Sequence, residues 1–390
     1  MLEDNSESWY EGDDLETNED YSFKEYDITA SPNDFNIKTI FDFIQSGIME
    51  IPNFQRNYVW DIKRASKLIE SVIIGLPIPQ IFLFEESKNK FLVIDGQQRL
   101  MTIYYFINKR FPKKDYRVFI GRIFDENKKI PENILHDNQY FEDFNLKLVS
   151  DIPGTKNPLN NINYATLDKN QKTAFDLRTI RNVIIKQNFP PDDDSSIYEI
   201  FSRLNSGGMN LKPQEIRSSL YNSNFYRMLK DLNEDNRWRR LIGRNEDIHL
   251  KDIEILLRGF AMLIEGYEQY TPSMSKFLNK FSKRNKAVSE ENIQYLKKLF
   301  NEFLNKCDKL DKGAFFSKTG KFNISMFEAI FSTICEEAFR KRNLSIYNID
   351  KDKLDNLKED NEFSKASQSE TASKTNVKKR IERAKAILLN

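Results

Sequence analysis

The feature that most constrains the fold of this 390-residue chain is a sharp change of pattern at Asp95-Gly96. The apolar run "FLVI" ends there, and "QQRLMTIYYFINK" continues with the spacing of a helix. A second apolar run, "QIFLFEE", stands just before, separated from the first by the polar "SKNK". The pattern predicts a β-hairpin whose second strand turns at the glycine into a helix. The fold must therefore contain a sheet with a helix leaving one strand.

This turn has two physical interpretations. A helix that begins after Gly96 leaves its first N–H groups unpaired, at the positive end of its dipole, and such a site attracts phosphate. Gln97 and Gln98 would add amide donors, and Arg99 a cationic fork. Asp95 repels anions, so it would act as a metal ligand, a water-orienting base or a partner for an arginine. Alternatively, Asp95 caps the helix and pairs with Arg99, and the turn is purely structural.

Helical periodicity accounts for most of the remaining chain, which makes the predicted fold class α+β. "NIKTIFDFIQSG" and "DIKRASKLIESVIIG" are predicted helices, the second from an N-cap at Asp61 to a terminating Gly75. Nearly everything from about 225 to 345 has helical spacing. Between 110 and 175 the chain is polar, with pieces such as "YRVFI" and "FNLKLVS" that are typical of strands.

Charge divides the chain unevenly. Eleven acidic residues and one lysine give the first 27 residues a charge of −10, so the rest of a chain whose net charge is +1 carries +11. A basic body is compatible with nucleic acid or nucleotide partners, although scattered solubilising lysines explain it equally well. The pattern predicts four segments: an acidic disordered tail (1–34), an α+β domain (35–225), a helical domain (226–348) and a charged C-terminal segment (349–390).

Several classes of protein are excluded by composition. Two cysteines are too few for a disulfide framework or a zinc site. No run approaches 18 apolar residues and no secretory signal opens the sequence, so we expect a cytoplasmic protein without a membrane span. His136 and His249 stand alone, which argues against catalysis by a histidine cluster, and no Walker-type phosphate loop occurs.

Two further stretches could bind phosphate or a base. In "IPNFQRNYVW", Gln55 and Arg56 lie among aromatic residues that could stack on a base, or that simply pack at an amphipathic edge. In "FSRLNSGGMNLKPQEIR", Arg203 and Asn205 would face outward before a glycine loop, or serve only to end a helix.

The densest basic and aromatic patch is "NRWRRLIGR". Its Arg237, Arg239 and Arg240 are candidates for contacts with the DNA backbone. The same stretch is also compatible with an ordinary solvated helix face that buries Trp238.

The segments "IPNFQRNYVW", "VIDGQQRLMT" and "IFSRLNSGGMNLKPQEIR", in this order and separation, resemble the N-terminal domain family of GmrSD-type, modification-dependent restriction systems. The resemblance covers roughly residues 37–225. It implies a domain related to the ParB and sulfiredoxin fold that binds and hydrolyses a nucleoside triphosphate with Mg²⁺, in prokaryotic defence against foreign DNA.

The resemblance also suggests roles for particular residues. Asp95, Gln98 and Arg99 would be catalytic: Arg99 as phosphate clamp, Asp95 as the carboxylate that holds the metal or orients water, and Gln98 as an aid to placement. Nucleotide binding would fall to six other positions, which are Gln55, Arg56, Gly96, Gln97, Arg203 and Asn205.

The chain departs from many relatives in one respect. They carry a C-terminal nuclease of the His-Asn-His type, which needs several histidines, whereas this chain has two isolated ones. We therefore expect no such nuclease here and a separate effector or nuclease subunit if the system cuts DNA. The leading hypothesis is a nucleoside-triphosphate hydrolase or a nucleotide-switched regulator, and two alternatives stay open: a non-catalytic subunit that binds DNA or protein, and a nuclease built into the ParB-like domain. The oligomeric state and the preferred nucleotide are not predicted.

Overall fold

The computed structural model divides the chain into two compact units, each described here by itself. The sheet unit comprises residues 25–211, and the helical unit comprises residues 1–24 together with 212–390. The structure describes residues 8–12, 27–51, 58–127, 129–150, 155–189, 195–204, 212–244, 246–247 and 249–389. Within these ranges, no helix is long and apolar enough to cross a membrane.

The described residues contain nine strands, numbered along the chain. They are β1 (Tyr10–Glu11), β2 (Asp27–Asn36), β3 (Met49–Glu50), β4 (Ile81–Ser87), β5 (Lys90–Asp95), β6 (Arg110–Pro112), β7 (Phe141–Asp143), β8 (Thr179–Phe189) and β9 (Phe322–Asn323). Five form one sheet in the order β2-β8-β4-β5-β3, in which parallel and antiparallel pairs alternate. The predicted hairpin is β4 and β5, and the mixed α+β class is confirmed.

Seven helices belong to the described part of the sheet unit: α1 (Ile37–Gln45), α2 (Ile62–Ile74), α3 (Gln97–Ile107), α4 (Arg117–Asn127), α5 (Glu132–Leu135), α6 (Lys169–Leu177) and α7 (Ser195–Leu204). Helix α2 has the predicted ends, because Asp61 accepts a bond from the Arg64 amide and Gly75 is left-handed at φ +85°. Helix α3 is buried on nearly all sides and packs against α1, α2 and β6. A helix surrounded by core is a rigid support for whatever its first turn presents.

Three elements of the sheet unit differ from prediction. Residues 27–34, expected in a disordered tail, form most of β2, which pairs with β8 along its whole length. The side chains of β2 are largely exposed, so the strand is held mainly by backbone hydrogen bonds. For the same reason the amino-acid composition of this segment did not indicate a strand. "YRVFI" was predicted as a strand, but residues 117–120 open α4, where Ile120 and Phe124 share the buried face one turn apart. "FNLKLVS" forms no regular element.

The helical unit has ten helices in its described residues: α8 (Pro213–Leu220), α9 (Asn224–Asn233), α10 (Asn236–Ile242), α11 (Lys251–Glu265), α12 (Met274–Arg284), α13 (Glu290–Cys307), α14 (Ile324–Lys341), α15 (Lys351–Glu359), α16 (Asn361–Gln368) and α17 (Lys374–Leu388). Helices α11 and α14 pack against each other at the centre of this unit. Phe260 of α11 contacts Phe331 of α14, and Trp238 of α10 also packs against α14. Most of the region from about 225 to 345 is helical, as predicted; between α13 and α14 the chain forms turns and β9 instead.

The last 40 residues were expected to be a charged segment that ends in the basic amphipathic piece "NVKKRIERAKAILL", and that piece forms most of α17. Helix α17 packs against α14, α15 and α16, and buries Val377, Arg380, Ile381 and Leu388. The apolar positions among the buried residues of α17, Val377, Ile381, Ala384 and Leu388, recur every three or four residues, which is enough to build an apolar stripe in a segment of low overall hydrophobicity. The C-terminal residues therefore complete the core of the helical unit.

A buried ionic cluster in this unit makes stability depend on pH. Glu254 accepts from Arg217 Nη1 at 3.1 Å and from Lys251 Nζ at 2.5 Å. Burial alone would raise the pKa of Glu254, but the charges of Lys251 and Arg217 together lower it to about 2. The ordinary pKa of a glutamate is 4.5. Between pH 4.5 and 2, Glu254 is therefore protonated in the unfolded chain but stays ionised in the folded chain. This contribution to stability is complete above pH 4.5 and disappears as the pH falls toward 2.

We expect the free energy of unfolding to fall less steeply with acid in Glu254→Gln than in the wild type. The difference should approach, at most, about 1.4 kcal/mol per pH unit between pH 4.5 and 2. Urea unfolding at pH 5, 4 and 3 measures it, and the exposed Glu290→Gln variant is the matched control. Parallel curves for wild type and Glu254→Gln would contradict the assignment.

Candidate functional site

The turn between β5 and α3 depends on a glycine. Gly96 has φ +104°, and a Cβ added there would lie 2.3 Å from Cγ2 of Ile81, the first residue of β4. Any side chain would therefore meet both a strained backbone and a buried strand. Helix α3 begins at the next residue without a side-chain cap, and its first backbone bond runs from the Leu100 amide to the Gly96 carbonyl at 2.9 Å. Gly96 has no side chain, so the first turn of α3 has no N-cap side chain.

Asp95 and Arg99 form an ion pair across this turn. Arg99 Nη2 donates to Asp95 Oδ2 at 2.8 Å, while Nη1 donates to the carbonyl of Gln80 at 3.0 Å and to that of Pro79. Burial lowers the pKa of Arg99 and the Asp95 charge opposes this, but a guanidinium remains charged in either case. The arginine thus ties the start of α3 to the chain that enters β4. Asp95 does not cap α3, and its side chain is 40% exposed.

Gln97 and Gln98, the first two residues of α3, line a small cleft that we call the α3 cleft. Its other lining residues are Ile51, Tyr58, Met101, Tyr105, Pro112, Arg117, Gly121 and Phe124. Its volume of about 20 Å³ accommodates a group the size of a water molecule. Asp95 and Arg99 are not among the lining residues.

The first two sequence motifs meet at this cleft. Gln98 Oε1 accepts from the Val59 amide at 3.0 Å, and the Tyr58 hydroxyl shares a 2.8 Å bond with Thr102 Oγ1 on α3. Burial raises the pKa of Tyr58, so its hydroxyl stays protonated. These contacts hold the chain that follows "NFQRN" against the first turns of α3.

Arg117, at the start of α4, adds a cation to the α3 cleft. This residue was not predicted from the sequence to belong to the site. Its Nη1 donates to the Tyr58 carbonyl at 3.0 Å, and its guanidinium lies 5.4 Å from the Tyr58 ring centroid. Burial lowers its pKa, although the group remains a cation. The only signal in the sequence was the spacing of Ile120 and Phe124, because it puts Arg117 at the start of a helix rather than in a strand.

The remaining nucleotide-binding candidates are not assembled by the described residues. Gln55, Arg56 and Asn205 lie outside them. Arg203 is described near the end of α7, where its side chain is 82% exposed and donates to Glu199 at 3.1 Å. Helix α7 packs against β5, the strand that leads into Gly96.

The basic patch on α10 is matched by carboxylates. Arg237 pairs with Asp235 at 2.6 Å, Arg239 with Asp252 at 2.8 Å and Arg240 with Asp308 at 2.7 Å; Trp238 is buried. Such pairing reduces the charge available to DNA phosphates. The assignment of the three arginines to DNA binding stays a prediction.

Metal ligands are sparse near the turn. The described residues contain no group of three or more histidine, cysteine, aspartate or glutamate side chains that could hold a metal. Asp95 is a single, partly exposed carboxylate. One carboxylate suffices for Mg²⁺ when phosphates and water supply the other ligands, so Asp95 fits a metal that is bound together with a nucleotide.

Comparison with known proteins supports the resemblance seen in the sequence. Residues 37–222 match the family model described as GmrSD restriction endonuclease, N-terminal domain. The chain is also similar to an uncharacterized protein of Methanocaldococcus jannaschii, at 30% identity over 37% of this chain. The matched part spans 29% of the length of that relative.

Proposed function

With a GmrSD-type N-terminal domain in residues 37–222 as the premise, we propose that the chain binds and hydrolyses a nucleoside triphosphate within a DNA-directed restriction system. We further propose that this domain is ParB-like. DNA and a separate effector or nuclease subunit would be its partners, since the family description names a restriction endonuclease.

One observation carries the proposal: the first turn of α3, which has no side-chain cap, adjoins a cleft where two glutamines and a half-buried arginine converge. Gln97 and Gln98 belong to that turn, and Arg117 reaches it from α4. The positive end of a helix dipole, amide side chains and a cation together favour an anion with several oxygens. The α3 cleft is too small for a nucleotide, so the phosphates would lie over its opening with the attacking water inside.

The residues would divide the work of hydrolysis as follows. Gln98 orients the attacking water, whose oxygen bonds to the terminal phosphorus while the bond to the leaving diphosphate breaks. Arg117 stabilises the charge on the terminal phosphate. Asp95 is the one carboxylate of the turn that could hold Mg²⁺, which neutralises phosphate charge when bound. Arg99 keeps Asp95 and the turn in place and has donors left for a phosphate oxygen.

The remaining candidates would contact the nucleotide from neighbouring segments. Gln55 and Arg56 precede Tyr58 by three and two residues, which places them in sequence beside the α3 cleft. Arg203 lies in the last turn of α7, which packs against β5, and Asn205 follows that helix in the sequence. We propose that all four residues contact the bound nucleotide.

Release of phosphate tests the proposed reaction. Wild-type chain should release phosphate from at least one of the four ribonucleoside triphosphates with Mg²⁺, with or without DNA. Arg117→Ala should lower the rate about 100-fold, as removal of a charge-stabilising donor does in other hydrolases. Arg122→Ala, on the exposed face of the same helix, should retain the wild-type rate.

The same assay on Asp95→Ala and Arg99→Ala distinguishes catalytic from structural roles. Thermal unfolding of each variant shows whether lost activity reflects lost folding. If no triphosphate is hydrolysed by the wild type under any of these conditions, the proposed reaction is wrong. If Asp95→Ala and Arg99→Ala fold and hydrolyse at the wild-type rate, the catalytic assignment fails.

A second function is favoured by the way Asp95 and Arg99 satisfy each other. An ion pair that also binds two backbone carbonyls is typical of a structural turn. On this alternative the chain is a non-catalytic subunit that binds nucleotide, DNA or protein. Saturable nucleotide binding without phosphate release would support it.

A further inference from the structure

Residues 8–12, which we call the N-terminal arm, lie in the helical unit as an added strand. The arm forms β1 and pairs in parallel with β9, so that Tyr10 lies opposite Phe322 and Glu11 opposite Asn323. The Phe322 amide donates to the carbonyl of Trp9 at 3.1 Å. In the sequence, the whole sheet unit separates the arm from the rest of the helical unit. The arm is therefore held there by non-covalent contacts alone.

The two aromatic side chains of the arm each meet a cation. The guanidinium of Arg244 lies over the Trp9 ring, 5.4 Å from the ring centroid. Trp9 Nε1 donates to Asp247 Oδ2 at 2.9 Å. Lys251 Nζ stands 4.8 Å from the centroid of the Tyr10 ring. Cation–π contacts combined with an indole hydrogen bond select aromatic residues at both positions.

The next two residues have equally specific environments. Glu11 accepts from Thr319 Oγ1 at 2.7 Å and from Asn323 Nδ2 at 3.2 Å. Gly12 has φ +73°, and a Cβ there would lie 2.9 Å from the Ser367 carbonyl oxygen. Its own carbonyl accepts from Ser325 Oγ at 2.8 Å. The position thus requires glycine, and the preceding one favours a carboxylate.

We propose that the helical unit carries a peptide-docking groove, bounded by β9 and the start of α11, whose occupant is the N-terminal arm of the same chain. The groove recognises an extended aromatic–aromatic–acidic–glycine segment by strand addition, with backbone bonds for affinity and four side-chain environments for specificity. Docking within the chain benefits from an effective concentration in the millimolar range, so a free peptide competes poorly while the arm is in place.

The test uses the full chain with Gly12→Val, which removes the arm by strain and by collision with Ser367. A fluorescent peptide with residues 6–14, "SESWYEGDD", should bind this variant saturably and the wild-type chain at least about tenfold more weakly. A peptide with Trp9→Ala should lose at least about tenfold in affinity for the variant. A scrambled peptide of the same composition is the matched control.

Three results would overturn the proposal. They are absence of binding to a folded Gly12→Val chain, equal binding of the scrambled peptide, and equal binding to the wild type. A chain with Trp9→Ala and Tyr10→Ala together gives a second route to an open groove if Gly12→Val fails to fold. A wild-type dimer that both variants abolish would show that the groove takes the arm of a second copy, which contradicts docking within one chain.

Discussion

Replacing Glu328 by glutamine is expected to lower the free energy of unfolding of the helical unit by about 3–5 kcal/mol. Glu328 lies on α14, fully buried, and its two oxygens accept from Arg258 of α11 and from Arg380 Nη2 of α17, the latter at 2.7 Å. Both guanidinium groups are also fully buried. Burial lowers the pKa of Arg380 and the Glu328 charge opposes this, so the carboxylate is what allows a cation at that place.

The neutral variant would remove the carboxylate charge that the two buried cations share. A glutamine of the same shape can satisfy one donor, but it cannot offset the desolvation of two guanidinium groups. Chemical unfolding of the full chain measures the change. Glu336→Gln is the matched control, since it makes the same substitution on the same helix and breaks a half-exposed pair with Lys385, also on α17. That control should cost no more than about 1 kcal/mol.

Equal destabilisation by the two substitutions would contradict this account, because it would mean that burial of the pair has no effect. Arg258→Met, Glu328→Leu and Arg380→Met in combination offer a further test. Replacing a whole buried ionic group by apolar side chains removes the desolvation cost together with the attraction. The triple variant should therefore be more stable than Glu328→Gln alone.

Gly96→Ala is expected to destabilise the sheet unit by roughly 2–5 kcal/mol and to abolish any function of the β5–α3 turn. The left-handed conformation contributes about 1–2 kcal/mol, and the 2.3 Å approach to Ile81 contributes about 1–3 kcal/mol as in overpacked cores. Any relaxation must move β4 or the first turn of α3, so the α3 cleft changes shape as well. Urea unfolding and nucleotide binding measure the two effects.

Gly75→Ala separates strain from collision. Gly75 also has a positive φ, +85°, but its added Cβ would meet only the end of the flexible Arg178 side chain at 2.8 Å. We expect a loss of about 1–2 kcal/mol there, from backbone strain alone. If Gly96→Ala and Gly75→Ala lowered the free energy of unfolding equally, the contact with Ile81 would not contribute to the destabilisation. The shape of the cleft would then not depend on that contact.

The sequence was informative wherever local pattern and local geometry coincide. The hairpin, α2 with Asp61 and Gly75, and the start of α3 at Gln97 all follow from periodicity and from residues that favour a cap or a turn. The match of residues 37–222 confirms the recognition of the domain family, which rested on three short motifs. The structural interpretation of the turn had Asp95 cap α3 and pair with Arg99; the structure contains the pair but not the cap.

What the sequence did not reveal depends on partners distant in the chain. Strand β2 is held by backbone bonds to β8, about 150 residues away, and its exposed side chains resemble those of a tail. Arg117 reaches the α3 cleft only because α4 folds back on Tyr58. Likewise, the sequence of α10 indicates a basic patch, but in the structure its arginines pair with Asp235, Asp252 and Asp308.

The pairing of β1 with β9 has a consequence for synthesis on the ribosome. Domains generally fold as units while the chain emerges, those nearest the N-terminus first. Here residues 8–12 leave the ribosome before the sheet unit, but their partner strand, Phe322–Asn323, follows about 310 residues later. The sheet unit can thus complete its fold while the aromatic arm is still without its groove. Trp9 and Tyr10 therefore remain without their final contacts until most of the chain has been synthesised.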